Sequence, residues 1–276
     1  MPVFVFSTMF NVGLTQKLAD ILDIFKEWPF VLRMLLANFV LAPLAMFLML
    51  KLAPFSGPLE TGLLIYSLTA GAPFLIRLTQ LSDHDVSLGA SLMMLLVAAT
   101  ALTLPLSMGL LMPEVQIDGG LIAKELASQL LLPVAFGMLA ANFLPAVAKT
   151  VQPWIAKIGN YTLYIVIFAT IAGYLPRIGG ILGEGAFLVG ILFLVISFGL
   201  GYLLGGKNGR DDLQDVGALA TAQRGTAAAM IIATQNFADT PEVMIIITLI
   251  SMLGIVGLMA AAKKLSKDEG TAPADG

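Results

Sequence analysis

The chain has 276 residues, of which 58% are hydrophobic and 12% are charged. Soluble domains carry about 25% charged residues, so this composition argues against a water-soluble enzyme and predicts a surface that faces lipid. With no cysteine and one histidine, the chain offers neither a disulfide framework nor a thiolate metal site, and a histidine metal centre or catalytic triad is not expected. A net charge of −3 provides no basic surface for nucleic acid.

Apolar stretches bounded by charges and by Pro/Gly clusters predict nine membrane-spanning helices, since about 20 apolar residues cross a bilayer. They cover residues 1–14, 29–53, 59–81, 86–112, 121–144, 160–175, 185–205, 217–237 and 243–262. The sixth is short enough to begin in the amphipathic stretch before it. Residues 1–265 are therefore expected to form one all-α membrane unit, and the polar residues 266–276 a disordered cytoplasmic tail.

The distribution of lysine and arginine predicts the orientation of the chain. The loops after odd-numbered spans contain Lys17, Lys26, Arg33, Lys149, Lys157, Lys207, Arg210, Lys263, Lys264 and Lys267. The opposite loops contain Lys51, Lys124 and Arg177. Because basic loops stay in the cytoplasm, the bias predicts a multi-pass protein of the cytoplasmic membrane with its N-terminus outside and its C-terminus inside.

Two predicted spans carry helix-breaking residues at their centres. The third contains Thr69-Ala70-Gly71-Ala72-Pro73, and the eighth contains Gln223-Arg224-Gly225-Thr226. Backbone freed by such a break is tolerated in a membrane only where it is buried in protein or lines a wet cavity. The two spans run in opposite predicted directions, which is typical of inverted repeats whose broken helices cross at a substrate site. The alternative is that these small residues only permit close helix packing.

Arg224 lies deep in its span, where an arginine costs about 2.5–3.5 kcal/mol or more. That cost predicts either an anionic ligand or a structural partner, such as a carbonyl clamp. Arg77 lies nearer the cytoplasmic end of its span, so its side chain can alternatively reach the interface. None of the 18 acidic residues is central in a span, which disfavours a cation antiporter and favours an anionic cargo.

Neutral polar residues complete the predicted cavity, although a lone asparagine in a span joins helices as often as it binds a ligand. The residues predicted to bind substrate are Asn11, Thr69, Gly71, Pro73, Arg77, Arg224, Gly225 and Thr226. His84, in the acidic loop after the third span, is expected to be solvated. No catalytic residues are predicted, because the chain has no nucleotide-binding glycine loop and no GxSxG motif.

The motifs NVGL with LLANFVLAPLA, TAGAPF and ATAQRGTAAAMIIATQNF, in this order and spacing, resemble the bile acid:sodium symporter family. The resemblance implies a core domain with two crossed helices, formed by spans in 29–112 and 185–262. It also implies a panel domain formed by spans in 1–14 and 121–175. Family members move organic anions with Na⁺ by rocking one domain against the other, so a bilayer and a small organic anion are the implied partners.

The resemblance implies sodium ligands, and here the chain departs from the family. Gln223 matches one ligand and Asn38 stands where relatives often have glutamine, but Leu219 replaces a glutamate and Leu75-Ile76 replaces a Ser-Asn pair. We hypothesise that Arg224 places a fixed cation where a mobile one would bind. Three functions stay open: an ion-coupled transporter, a sodium-independent facilitator or exchanger, and a membrane sensor that kept the fold. The cargo and the oligomeric state are not predicted.

Overall fold

The computed structural model describes residues 2–17, 19, 22, 24–52, 57–111, 120, 124, 127–183, 185–206 and 210–269. Within these residues the chain forms helices and no strand, apart from one isolated bridge between Ala70 and Arg224. The predicted all-α fold is therefore confirmed for the described part of the chain.

The helices are α1 (Pro2–Thr15), α2 (Trp28–Leu36), α3 (Ala42–Leu52), α4 (Pro58–Leu68), α5 (Phe74–Leu81), α6 (Val86–Leu111), α7 (Leu132–Phe143), α8 (Pro145–Gly183), α9 (Ala186–Gly205), α10 (Asp211–Ala222), α11 (Thr226–Asn236) and α12 (Pro241–Glu269). A 3₁₀ turn, Ile24–Glu27, precedes α2. Two π-helical turns, Ala37–Leu41 and Ala127–Leu131, lead directly into α3 and α7.

Four of the described helical stretches are long and apolar enough to cross a membrane: Ile24–Leu52, Val86–Leu111, Ala186–Gly205 and Pro241–Ser266. They coincide with the second, fourth, seventh and ninth predicted spans. Val3–Thr15 and Ala127–Phe143 are shorter apolar helices. The third and eighth predicted spans are each divided into two half-helices of at most 12 residues, which are individually too short to cross a bilayer. The nine-span count therefore stays a prediction.

Helix α1 packs against α7 and α8 in a first group, and α9 on α10 and α12 on α4 and α5 form a second group. Helix α8 joins the two groups, because it also packs against α12 and α9. The first group relies on small residues, because a Cβ built on Gly13 of α1 would lie 2.1 Å from the carbonyl oxygen of Val134. Glycine at this position allows the two backbones to touch, which is how membrane helices commonly associate.

Two helices extend beyond the predicted boundaries. Helix α8 runs unbroken from Pro145 to Gly183, so the sixth span does begin in the amphipathic stretch before it. Helix α12 continues to Glu269, past residue 266, where the polar tail is predicted to begin. The hydroxyl of Ser266 donates to a carboxylate oxygen of Asp83, a long-range contact that sequence composition does not reveal. Residues 270–276 of the predicted tail lie outside the described residues.

Polar contacts join several connecting segments at one end of the bundle. Arg210 Nη1 lies 3.2 Å from Glu27 Oε1, and His84 Nε2 lies 3.0 Å from Asp215 Oδ2. His84 is only 8% exposed, so the expectation of a solvated loop residue is wrong. Its partner is 131 residues away in the chain, and the pairing removes the need for solvent. The segments that meet here are ones that the charge distribution assigns to a single side.

Candidate functional site

The first helix interruption lies between α4 and α5 and covers Thr69–Pro73. Thr69 has an extended backbone, and Gly71 has φ +76°, a left-handed conformation that glycine adopts without steric cost. A Cβ on Gly71 would lie 2.6 Å from the backbone nitrogen of Val97. Pro73 then starts α5 as its N-cap residue. The predicted break is therefore present, and glycine fits it both for its φ and for its closeness to α6.

Thr100 of α6 satisfies the backbone that this interruption frees. The N–H of Ala70 donates to Thr100 Oγ1 at 3.0 Å, and the same hydroxyl donates to the carbonyl oxygen of Ala70 at 2.9 Å. Ala70 is 1% exposed, so water does not serve these groups. Sequence reasoning missed Thr100, because a single threonine in an apolar span carries no pattern that distinguishes it.

The second interruption lies between α10 and α11 and meets the first one directly. Arg224 forms an antiparallel bridge with Ala70, and the N–H of Gly225 donates to the carbonyl oxygen of Thr69 at 3.4 Å. A Cβ on Gly225 would lie 3.1 Å from the carbonyl oxygen of Ala70. We call this contact between the two interruptions the crossing. In it, a backbone N–H of the second interruption donates a hydrogen bond to a backbone carbonyl of the first.

Arg224 is fully buried at the crossing, with 0% of its surface exposed. Its Nη1 donates to Asn38 Oδ1 at 3.2 Å and to the carbonyl oxygen of Asn38 at 3.4 Å. Its Cζ lies 5.1 Å from the centre of the Phe193 ring, a cation–π distance. Within the described residues, Nε and Nη2 have no hydrogen-bond partner. The predicted structural partner therefore exists, but it is neutral and engages one of the three guanidinium nitrogens.

Asn38 lies in the π-helical turn of the second predicted span, and such turns often occur at functional sites. Its Nδ2 donates to the carbonyl oxygen of Met34 at 2.9 Å and to Thr221 Oγ1 at 3.1 Å. Gln223, the other predicted ion ligand, is 5% exposed and follows the end of α10. Asn38 thus links the second span to the last turn before the second interruption.

Aromatic and hydroxyl side chains complete the surroundings of Arg224. The ring of Tyr66 meets the ring of Phe193 edge-on, with 6.3 Å between the ring centres. Thr226 Oγ1 donates to Ser251 Oγ at 2.9 Å. Of these residues the sequence singled out Thr226 alone. Aromatic and serine residues are common in membrane helices, so nothing in their spacing separates them from ordinary packing residues.

Most of the predicted substrate-binding residues lie at the crossing: Thr69, Gly71, Pro73, Arg224, Gly225 and Thr226. Arg77 does not; it is exposed on α5, and its Nη1 donates to Gln80 Oε1 at 3.4 Å. Asn11 does not either, because its Oδ1 accepts a 2.9 Å hydrogen bond from Gln152 Nε2 of α8. Asn11 thus joins α1 to α8, in agreement with the alternative that a lone asparagine in a span connects helices.

The described side chains offer few cation ligands. Leu219 and Leu75, which stand where the resemblance implies oxygen ligands, are 0% and 1% exposed and apolar. Among the residues that the structure describes, no group of three or more His, Asp or Glu is placed to hold a metal ion. The chemistry available at the crossing is that of a buried guanidinium, amide groups, hydroxyls and freed backbone.

Residues 2–178 match the model of the sodium bile acid symporter family. The chain belongs to this family. As a member of the sodium bile acid symporter family it is a multi-pass membrane protein of the transporter class, in agreement with the apolar helices and the interrupted segments.

Several curated proteins similar to this chain come from plants. The chain is 24% identical over 272 residues to the probable sodium/metabolite cotransporter BASS5 of Oryza sativa subsp. indica, an alignment that covers 93% of this chain and 67% of the relative. It is 23% identical to BASS6 of Arabidopsis thaliana, covering 84% of this chain and 59% of the relative. For BASS3 of Arabidopsis thaliana the identity is 22%, with 92% and 60% covered. The alignments thus cover 59–67% of the length of these relatives, all named as chloroplastic.

Proposed function

We propose that the protein is a secondary transporter that moves a small organic anion across the cytoplasmic membrane by alternating access. The observation that carries the proposal is the crossing of the two interrupted segments around the buried, cationic side chain of Arg224. Interrupted helices that meet in this way are the usual substrate sites of secondary transporters.

The proposed architecture has nine spans arranged as an inverted repeat, with the N-terminus outside and the C-terminus inside. The contacts Glu27–Arg210, His84–Asp215 and Asp83–Ser266 support this arrangement, because they gather loops of predicted cytoplasmic location at one end. The packing of α1 against α7 and α8 supports a panel that moves against a core formed by spans in 29–112 and 185–262.

The charge at the crossing favours an anionic substrate. Among the side chains whose burial the structure describes, Arg224 is the only buried lysine or arginine, and the partners found for it are the neutral groups of Asn38 and Phe193. Burying an ion without a counter-charge is costly, and an anionic ligand would relieve this cost. The hydroxyl of Thr226 and the freed backbone of Thr69, Gly71, Pro73 and Gly225 would line the path of the substrate.

A specific contact favours the sodium-independent form of this function. The amide oxygen of Asn38, an implied sodium ligand, accepts a hydrogen bond from Arg224 Nη1 at 3.2 Å. A Na⁺ on the same oxygen would lie roughly 5 Å from the guanidinium and be repelled by about 3 kcal/mol at an effective dielectric constant near 20. We therefore infer that the tethered charge of Arg224 replaces a mobile Na⁺ and that the protein works as a facilitator or exchanger.

Counterflow in liposomes tests the proposal. The full chain is reconstituted, the liposomes are loaded with an unlabelled organic acid chosen by a thermal-shift screen, and uptake of the labelled acid is followed in Na⁺ and in choline buffers. We expect equal uptake in both buffers and none for Arg224→Ala. Uptake that vanishes without Na⁺ would contradict the sodium-independent form. Binding of the acid without any counterflow would contradict transport and favour a sensor.

A further inference from the structure

Three buried side-chain atoms in the described part of the chain have no hydrogen-bond partner: Arg224 Nε, Arg224 Nη2 and Ser197 Oγ. Folded proteins pair nearly all buried polar atoms, so each exception calls for an explanation. Two of the three belong to one guanidinium edge. The third belongs to a serine of α9 that is 0% exposed and that the sequence did not single out.

Ser197 lies on the same face of α9 as the Phe193 ring, which contacts Arg224. The buried face of α9 carries Phe193, Ser197 and Gly201 at successive turns. Phe193 stacks against the guanidinium of Arg224. A Cβ on Gly201 would lie 2.7 Å from Oγ1 of Thr221, which precedes Arg224 by three residues. Ser197 lies between these two contacts and therefore faces the end of α10 at the crossing.

Each of the three atoms can donate a hydrogen bond and has no acceptor in the described structure. The Nε–Nη2 edge of a guanidinium is a planar fork of two N–H donors, and such a fork matches the two oxygens of a carboxylate. The hydroxyl of Ser197 supplies a further donor from the neighbouring helix. One monovalent carboxylate would accept hydrogen bonds from all three and would neutralise the single positive charge of Arg224.

We propose that Arg224 Nε and Nη2, together with Ser197 Oγ, form the subsite that binds the carboxylate of the substrate. This inference rests on the proposed transport function and narrows it: the cargo is an organic monocarboxylate whose charged group is held at the crossing. Tyr66 and Phe193 place aromatic surface beside the subsite. Because all three donors are buried in the described structure, the carboxylate would reach them when the crossing is exposed to one side of the membrane.

Binding of acetate to the purified full chain tests the subsite directly. Acetate and chloride are supplied as choline salts, and the melting temperature and the heat of binding are measured. We expect acetate to raise the melting temperature more than chloride, which cannot engage a planar fork of donors. Ser197→Ala removes one donor to a charged group, so the Kd for acetate should rise roughly tenfold or more.

Two further variants make the result specific. Arg224→Lys keeps the charge but loses the fork, and its acetate affinity should also fall at least about tenfold. Ser7→Ala is the matched control, because Ser7 is a buried serine of α1 whose hydroxyl bonds to the Val3 carbonyl of its own helix at 2.6 Å. Acetate affinity that is equal in wild type, Ser197→Ala and Ser7→Ala would overturn the subsite. Equal stabilisation by chloride and acetate would overturn the carboxylate assignment.

Failure of this inference is distinguishable from failure of the transport proposal. If labelled monocarboxylate shows counterflow with the same KM in Ser197→Ala as in wild type, the subsite is wrong and transport stands. If acetate binds in a manner that depends on Arg224 and Ser197, but no acid shows counterflow, the subsite stands and transport is wrong. If wild-type protein does not bind acetate and its counterflow is not inhibited by acetate, the subsite is wrong.

Discussion

Thr100 and Ala70 are joined by two hydrogen bonds through a single hydroxyl, which accepts from the Ala70 N–H at 3.0 Å and donates to the Ala70 carbonyl at 2.9 Å. A residue 30 positions further along the chain thus replaces both bonds that an uninterrupted helix would have given Ala70. The Thr100 side chain therefore pairs both backbone groups of Ala70, which would otherwise be buried without hydrogen bonds in the first interruption.

Thr100→Val should therefore destabilise the protein more than an ordinary threonine replacement. Valine has the same shape but leaves a buried N–H and a buried C=O unpaired, at about 1–3 kcal/mol each. We expect a clearly lower melting temperature of the purified protein. Thr103→Val is the control, since the hydroxyl of Thr103 bonds only to the Ala99 carbonyl of its own helix. Equal effects of the two substitutions would contradict the role given to Thr100.

Gly71→Ala should prevent normal packing of the crossing against α6. The backbone of Gly71 has φ +76°, and the added Cβ would lie 2.6 Å from the backbone nitrogen of Val97, which is not free to move away. We expect a loss of more than about 2 kcal/mol of stability, from strain and overlap together. The control is Gly109→Ala in α6, where a Cβ would meet nothing within 4 Å. A melting temperature equal to that of the control would show that the first interruption can rearrange.

Arg224→Met should raise the melting temperature and abolish transport. Methionine has a similar length and no charge, so the variant avoids burying a cation whose Nε and Nη2 lack partners in the described structure. Arg77→Met is the matched control, because Arg77 is exposed on α5. We expect that control to keep both its stability and its counterflow. Loss of counterflow in Arg77→Met would instead support the sequence-based assignment of Arg77 to substrate binding.

Asp212 should make a small, acid-sensitive contribution to stability. Hydrogen bonds from Arg210, with Nε 2.9 Å from Asp212 Oδ1, hold the pKa of Asp212 below its ordinary value. A lowered carboxyl pKa stabilises the folded state above the unfolded pKa, near about 4, and this contribution is lost as the pH falls toward the folded pKa. Because the pair is partly exposed, we expect less than about 1 kcal/mol. The melting temperature of Asp212→Asn should differ from that of wild type at pH 7 and converge with it in acid; a constant difference would contradict this.

The sequence predicts the local features of this fold because each depends on neighbouring residues. The apolar stretches, the two interruptions and the depth of Arg224 follow from composition and from glycine and proline placement. The long-range contacts between the two interruptions do not follow from neighbouring residues. Ala70 and Arg224 are 154 positions apart, and His84 and Asp215 are 131 positions apart. A single sequence contains no signal for which distant segments pair.

The two predicted site residues that lie away from the crossing have one feature in common. Helices in a membrane are apolar on most faces, so the direction in which a polar side chain points is not visible in the pattern. The sequence therefore does not show that Asn11 joins α1 to α8 or that Arg77 lies on the surface of α5. Ser197 was overlooked for the same reason, because its burial and missing partner are properties of the packed structure.

The length of α8 has a consequence for the membrane that hosts the protein. A helix of 39 residues extends roughly 58 Å at about 1.5 Å per residue, nearly twice the thickness of a hydrocarbon layer of about 30 Å. Ordinary tilt does not accommodate this difference, so one end of α8 must project past the acyl chains. The end that carries Lys157 above the ring of Trp154 has the chemistry of the headgroup region. A thinner or thicker bilayer would therefore change how steeply α8 leans, and would move its Gln152 relative to α1.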